Sequence, residues 1–85
     1  MRERWIDDGR GLLSIDTDTM HISIQSRARK NYRTTSNNWH LYFWVKGQYR
    51  CMTRFCCTFG GTMEEALNKA ETIIREMFES IQEIL

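Results

Sequence analysis

The apolar positions of this chain follow two different rhythms. Between Trp39 and Phe59 they recur mainly at every second residue: Trp39, Leu41, Phe43 and Val45, then Cys51, Phe55, Cys57 and Phe59. A strand turns successive side chains to opposite faces, so this alternation predicts two antiparallel strands joined by a tight turn at Lys46-Gly47-Gln48. The intervening positions form a second face of a different kind: His40, Tyr42, Trp44 and Lys46 on one strand, Arg50, Met52 and Arg54 on the other. From Thr62 onward the spacing changes to three and four. Met63, Ala66, Leu67, Ala70, Ile73, Ile74, Met77, Ile81 and Ile84 make one stripe of a helix over 62–85. Thr62-Met63-Glu64-Glu65 is a capping box at its start. At ~1.5 Å per residue the helix is ~35 Å long, enough to cross a small sheet. Glu64, Lys69, Glu71, Arg75, Glu76, Glu79 and Glu83 fill its outer side, and Phe78 falls off the main stripe.

Ahead of the central hairpin, Leu12–Ile15 and Met20–Ile24 flank the polar turn Asp16-Thr17-Asp18-Thr19, which predicts a first hairpin. Ile22 and Ile24 point to the core, while His21, Ser23, Gln25, Arg27 and Arg29 point away. Residues 29–38, RKNYRTTSNN, form a polar loop long enough to pass the sheet edge. In residues 1–10, Trp5 and Ile6 among charges form either a short helical turn or a flexible arm against the core, broken by Gly9 and Gly11. The expected fold is therefore α+β, a three- to four-stranded antiparallel sheet with one long C-terminal helix on one face, (β)βββα. One domain spans residues 1–85, and a single helix leaves the opposite sheet face uncovered.

Charge sharpens this picture. The net charge of +1 hides a segregation: residues 1–20 carry −2, residues 21–61 carry +7 with no acid, and residues 62–85 carry −4. The uncovered face is thus basic and aromatic, and the helix acidic. Eighty-five residues make one small domain. No apolar run approaches the ~20 residues that cross a bilayer, and the N-terminus lacks the apolar segment of a secretory leader. A cytoplasmic, soluble protein is expected. Cys51, Cys56 and Cys57 are odd in number, which does not suit a disulfide framework. Joined with His21 and His40 they offer soft ligands for zinc, but their spacing matches no usual ligand pair, and alternation sends Cys56 and Cys57 to opposite faces. They are read as small buried hydrophobes, with no metal and no cofactor.

From Trp39 on, the chain runs Trp-x-apolar-x-apolar, a Lys-Gly turn, a basic strand, then Phe-Gly-Gly-Thr-x-Glu-Glu-Ala opening a helix. This resembles the three-strand-plus-helix DNA-binding domains of plant GCC-box-binding transcription factors and the arm-site-binding N-terminal domains of phage and transposon integrases. The resemblance covers residues 21–80. It implies a sheet lying in the major groove, with Arg27 and Arg29 on one strand, Tyr42 and Trp44 on the next, and Arg50 and Arg54 on the last. The long loop at 30–38 and the segment before Met20 depart from it, and a free-standing copy suits an excisionase-like or regulatory protein.

Duplex DNA is accordingly the first expected partner, bound by Arg27, Arg29, Arg33, Tyr42, Trp44, Lys46, Arg50 and Arg54. Trp, Tyr, Met and Arg are also the residue types of protein interface centres. The alternative is therefore a phage-type inhibitor of host machinery, anti-CRISPR-like in size and character, that binds a host protein or nucleoprotein complex. Asp16, Asp18 and His21 offer a cation site and His40 a base. Without a nucleophile–base set or phosphate loop, though, the chain is read as non-enzymatic. A homodimer through a sheet edge or the open face completes the set.

Overall fold

The structure, a computed structural model, describes residues 1–46 and 51–85, and of residues 51–56 the backbone alone. A short 3-10 turn (Arg2–Arg4) is followed by strands β1 (Ile6–Asp7), β2 (Leu12–Asp16), β3 (Met20–Ser26), β4 (Asn37–Lys46) and β5 (Cys51–Gly61), then helix α1 (Met63–Ile84). The strands form one antiparallel meander in sequence order, β1-β2-β3-β4-β5. The α+β architecture is the expected one, with β1 as a fifth strand. Expectations placed on Gly47, Gln48 and Arg50, and on the side chains of Cys51, Met52, Arg54, Phe55 and Cys56, lie outside the described residues.

The alternation in β4 separates the faces as its sequence requires. Trp39 and Leu41 are fully buried and Phe43 nearly so, whereas His40, Tyr42 and Trp44 are half-buried on the other side. Leu13, Ile22 and Ile24 join the first set in register, Ile24 beside Leu41 and Ile22 beside Phe43. Onto this layer α1 sets Ala66, Leu67, Ala70 and Ile74, all buried. The two alanines let the helix approach closely, and Trp39 fills the centre, its indole N–H donating to the Gly61 carbonyl at 3.2 Å. Thr62 caps the helix as expected: its hydroxyl accepts from the Glu65 N–H and the Glu65 carboxylate accepts from the Thr62 N–H, both at 3.2 Å.

Four features differ from the sequence reading. Strand β3 ends at Ser26, so Arg27 and Arg29 lie past its end, although Arg27 N–H still donates to the Asn38 carbonyl. The loop before β4 is not wholly polar surface, because Tyr32 is 3 % exposed and packs edge-on to Trp39, 6.2 Å between centroids. A chain reversal with Asn31 at φ +59° turns it inward. Gly11 makes room for it: at φ +96°, a Cβ there would meet Ser26 Cβ at 3.3 Å and the Ala28 carbonyl at 3.4 Å. The helix outruns the sheet, so Ile81 and Ile84 of the apolar stripe are 45 % and 84 % exposed and Met77 is only half-buried. Glu71, read as part of the solvated helix face, is covered instead.

Glu71 is covered by the N-terminal segment, which does not stand free. Arg2 donates from Nε to Glu71 Oε1 at 2.9 Å and reaches Glu64 and Asn68 as well. Trp5 packs against the core and Asp7 against the loop. Asp7 accepts from the Tyr32 hydroxyl at 2.5 Å and from Arg33 Nε at 2.9 Å. Burial pushes the Asp7 carboxyl up. The hydrogen bonds from Tyr32, the Gly9 amide and Arg33 outweigh this, so it titrates below its ordinary range.

Candidate nucleic-acid interface

The face opposite α1 is ordered by the register into rows that run across the strands. One row is Leu12, Gln25, His40 and Thr58, and the next is Ile6, Ser14, Ser23 and Tyr42. A third is Asp16, His21 and Trp44. Among the described residues no other element covers these rows. Ser23, expected to face solvent, does lie on this side but is 4 % exposed, because its short side chain sits low among taller neighbours such as Tyr42 and His21.

Each candidate residue has a defined setting. Trp44 stacks on His21, with centroids 4.3 Å apart and planes inclined by 25°. His21 is held in turn by Asp16, its Nδ1 lying 2.9 Å from Oδ1. Tyr42 lies beside His40, 6.2 Å between centroids. Arg27 reaches back over the face although it lies beyond β3, and its Nε donates to His40 Nε2 at 2.6 Å. An Nε2 that accepts leaves the proton on Nδ1, so Nδ1 donates to Thr58 Oγ1 at 2.8 Å. Arg27, His40 and Thr58 therefore form a wired row from the end of β3 to β5.

Lys46 and Arg33 are settled differently. Lys46 Nζ pairs with Asp16 at 2.8 Å and donates to the Thr17 carbonyl at 2.7 Å. Lys46 and then His21 hold the Asp16 carboxyl below its ordinary value. Arg33 pairs with Asp7 and lies over the Tyr32 ring, 4.8 Å from its centroid. The central segment has no acid of its own, but the sheet imports Asp7 and Asp16 from β1 and β2 beside its cations. Positive charge without a carboxylate partner consequently collects at one end. Among the described residues Arg27, Arg29 and Lys30 make no ion pair there, and Arg29 and Lys30 are exposed. Arg50 and Arg54 remain candidates on the residue pattern alone.

The same end holds a cleft of about 340 Å³ lined by Asp8, Gly9, Arg10, Leu12, Gln25 and Arg29. Its upper wall is the turn from β1 to β2. There Asp8 Oδ1 accepts the amides of Arg10 and Leu12 at 2.7 and 3.1 Å and sets Arg10 beside Arg29. Arg10 is a cation of this face that the strand pattern passed over. The signal for Arg10 was the Asp8-Gly9-Arg10-Gly11 turn, which gains meaning only once Ile6–Asp7 is recognised as a strand.

His21 and His40, considered together as metal ligands, stand in different rows with different partners. No helix of the protein is long and apolar enough to cross a membrane. Against known protein families, curated proteins and solved structures, the chain matches none.

Proposed function

We propose that this protein is a non-enzymatic DNA-binding protein that engages duplex DNA through the open face of its sheet. The observation that carries this reading is the separation of charge by layer. The outer surface of α1 holds Glu64, Glu65, Glu76, Glu79 and Glu83. The opposite face holds the tethered Arg27 with Arg29 and Arg10 at one end, continuous with the aromatic row of β4. A polyanion is repelled by one layer and attracted by the other, so it meets the molecule sheet first. Tyr42, Trp44 and Gln25 then supply apolar and amide contacts among the cations. A second reading, in which this face binds a protein of the host, is favoured by the half-buried Trp44–His21 stack, which resembles the aromatic centre of a protein interface.

Titration against duplex DNA over a range of salt tests the proposal. Four phosphate contacts give a slope of log affinity against log salt of about −4. Arg27→Ala and Arg29→Ala should each reduce that slope by about one unit. Lys46→Ala and Arg33→Ala should leave it unchanged, because Asp16 and Asp7 already neutralise those charges. No binding at ~50 mM salt with tens of micromolar protein, conditions in which even non-specific attraction appears, would overturn the DNA reading in favour of a protein partner.

A further inference from the structure

The two edges of the sheet are built differently. β1 is two residues long, while β5 is eleven residues long, contains no proline and, among the described residues, has no strand beyond it. Long open edges are templates for further pairing, and proteins that remain monomeric blunt them. The ladder shows which backbone groups of β5 point away from β4. Arg27 N–H donates to the Asn38 carbonyl and Lys46 N–H to the Thr19 carbonyl, so even-numbered residues of β4 turn their backbone groups toward β3. Odd-numbered ones turn toward β5, where Trp39 faces Phe59 and Leu41 faces Cys57. Phe59 and Cys57 therefore bond inward, and Thr58 and Gly60 point outward. The Gly60 carbonyl accepts from Lys69 Nζ at 3.3 Å, as an outward-pointing group can.

An apolar channel runs beside this edge on the helix side. A groove of about 460 Å³ is lined by Cys57, Phe59, Lys69 and Ile73 among others. It meets a second groove of about 310 Å³, lined by Met77 and Ile81, at the shared residue Ile73. The unpaired strand edge and the exposed flank of α1 thus belong to one wall of the molecule.

We propose that two copies of this chain associate through this wall, β5 against β5 in antiparallel pairing about a two-fold axis, with their α1 flanks packed across it. Three features favour a second copy over an extended peptide. A strand edge is its own complement under a two-fold axis. With the axis near Ile73, antiparallel flanks set Lys69 of one copy opposite Glu76 of the other. The edge is also long: eleven residues at ~3.3 Å give a strand of about 36 Å, against about 5–6 residues for a usual strand. A lone peptide would fill the ladder and leave Met77 and Ile81 open. Such pairing keeps both helices on one side and joins the two open faces into one ten-stranded surface. The association does not depend on what that surface binds.

Light scattering coupled to gel filtration tests this, with an expected mass of twice the 10.2 kDa chain. Thr58→Pro removes an outward N–H from the ladder and, with it, the hydroxyl that meets His40, so the fold should survive, as checked by circular dichroism, while the dimer dissociation constant rises at least about tenfold. Thr58→Val loses the hydroxyl but keeps the N–H and should remain dimeric. Ile81→Glu, at a position 45 % exposed, should dissociate the dimer without straining the monomer, and it carries the test if the proline variant fails to fold. A wild-type chain that is monomeric at about 100 μM, where an interface of standard size associates, overturns the proposal. So does a dimer indifferent to Ile81→Glu and to a folded Thr58→Pro.

Discussion

Replacing Tyr32 with Phe removes one hydroxyl and leaves the ring against Trp39, so it isolates the bond between loop and β1. The lost hydrogen bond has a charged acceptor, worth about 1.5–3 kcal/mol when fully formed. The Asp7 side chain is 26 % exposed and keeps its bonds from Arg33 and the Gly9 amide, which places the cost near the lower end, about 1–2 kcal/mol. For a domain of this size that is a fall in Tm of about 6–12 °C for ~1.5 kcal/mol. Tyr32→Ala, which also empties the ring's site, should cost about 3–5 kcal/mol. The pH dependence is a second signature. Asp7 titrates below its ordinary value, so its contribution is present above the unfolded value near 3.8 and fades as pH falls through the lower folded one. Burial and then Asp7 raise the Tyr32 phenol, so that contribution is whole below 10.0 and fades as pH rises through the higher folded value. The gap between wild type and Tyr32→Phe should therefore be widest near neutrality and narrow toward both extremes. Thermal melts of both proteins from pH 3 to 11 measure it. A gap under ~0.5 kcal/mol at neutral pH, less than any net hydrogen bond is worth, or a gap that ignores pH, would refute the reasoning.

Two further outcomes are expected. Thr62→Ala should cost about 1 kcal/mol in chemical denaturation, because the Glu65 amide loses its acceptor, and Thr62→Ser should recover most of it. Arg2→Ala should cost about 1–3 kcal/mol, because it leaves the Glu71 carboxylate, with its side chain 12 % exposed, short of its donor. Adding Glu71→Gln to that variant should restore part of the loss, and no restoration would mean that Arg2 acts only through packing.

Much of this arrangement could be read in the sequence because one rhythm dominated each segment. Period two in β4 put Trp39 inside and Trp44 outside, and the Thr62–Glu65 spacing located the start of α1. Two-residue β1 has no rhythm to detect. Tyr32 is one aromatic in a polar loop, and its burial depends on Gly11 and Trp39, both distant in sequence. The pairing of Lys46 with Asp16 follows from strand order, so a count of charge by segment made the face look freer of acid than it is, and Arg33 pairs with Asp7 on the core side, where Asp7 stands beside Leu13. The apolar stripe of α1 records the helix's own periodicity and not the width of the sheet, which is why it runs on through Ile81 and Ile84, past the sheet. The cleft beside Arg10 joins three separate segments and was invisible for the same reason.

The Arg2 contact bears on the order in which this chain closes. Every strand pairs with its neighbour in sequence, so the meander can zip from local hairpins, although the connection from β3 to β4, residues 27–36, is long. Arg2 and Glu71 are 69 residues apart, and they meet only when both the N-terminal turn and α1 are in place. A contact closed over so long a stretch is expected to form after the folding transition state. Its loss appears as faster unfolding while the folding limb of the chevron stays where it was. On that expectation the N-terminal turn is a latch: Arg2→Ala should leave the rate of assembly unchanged and shorten the lifetime of the assembled domain.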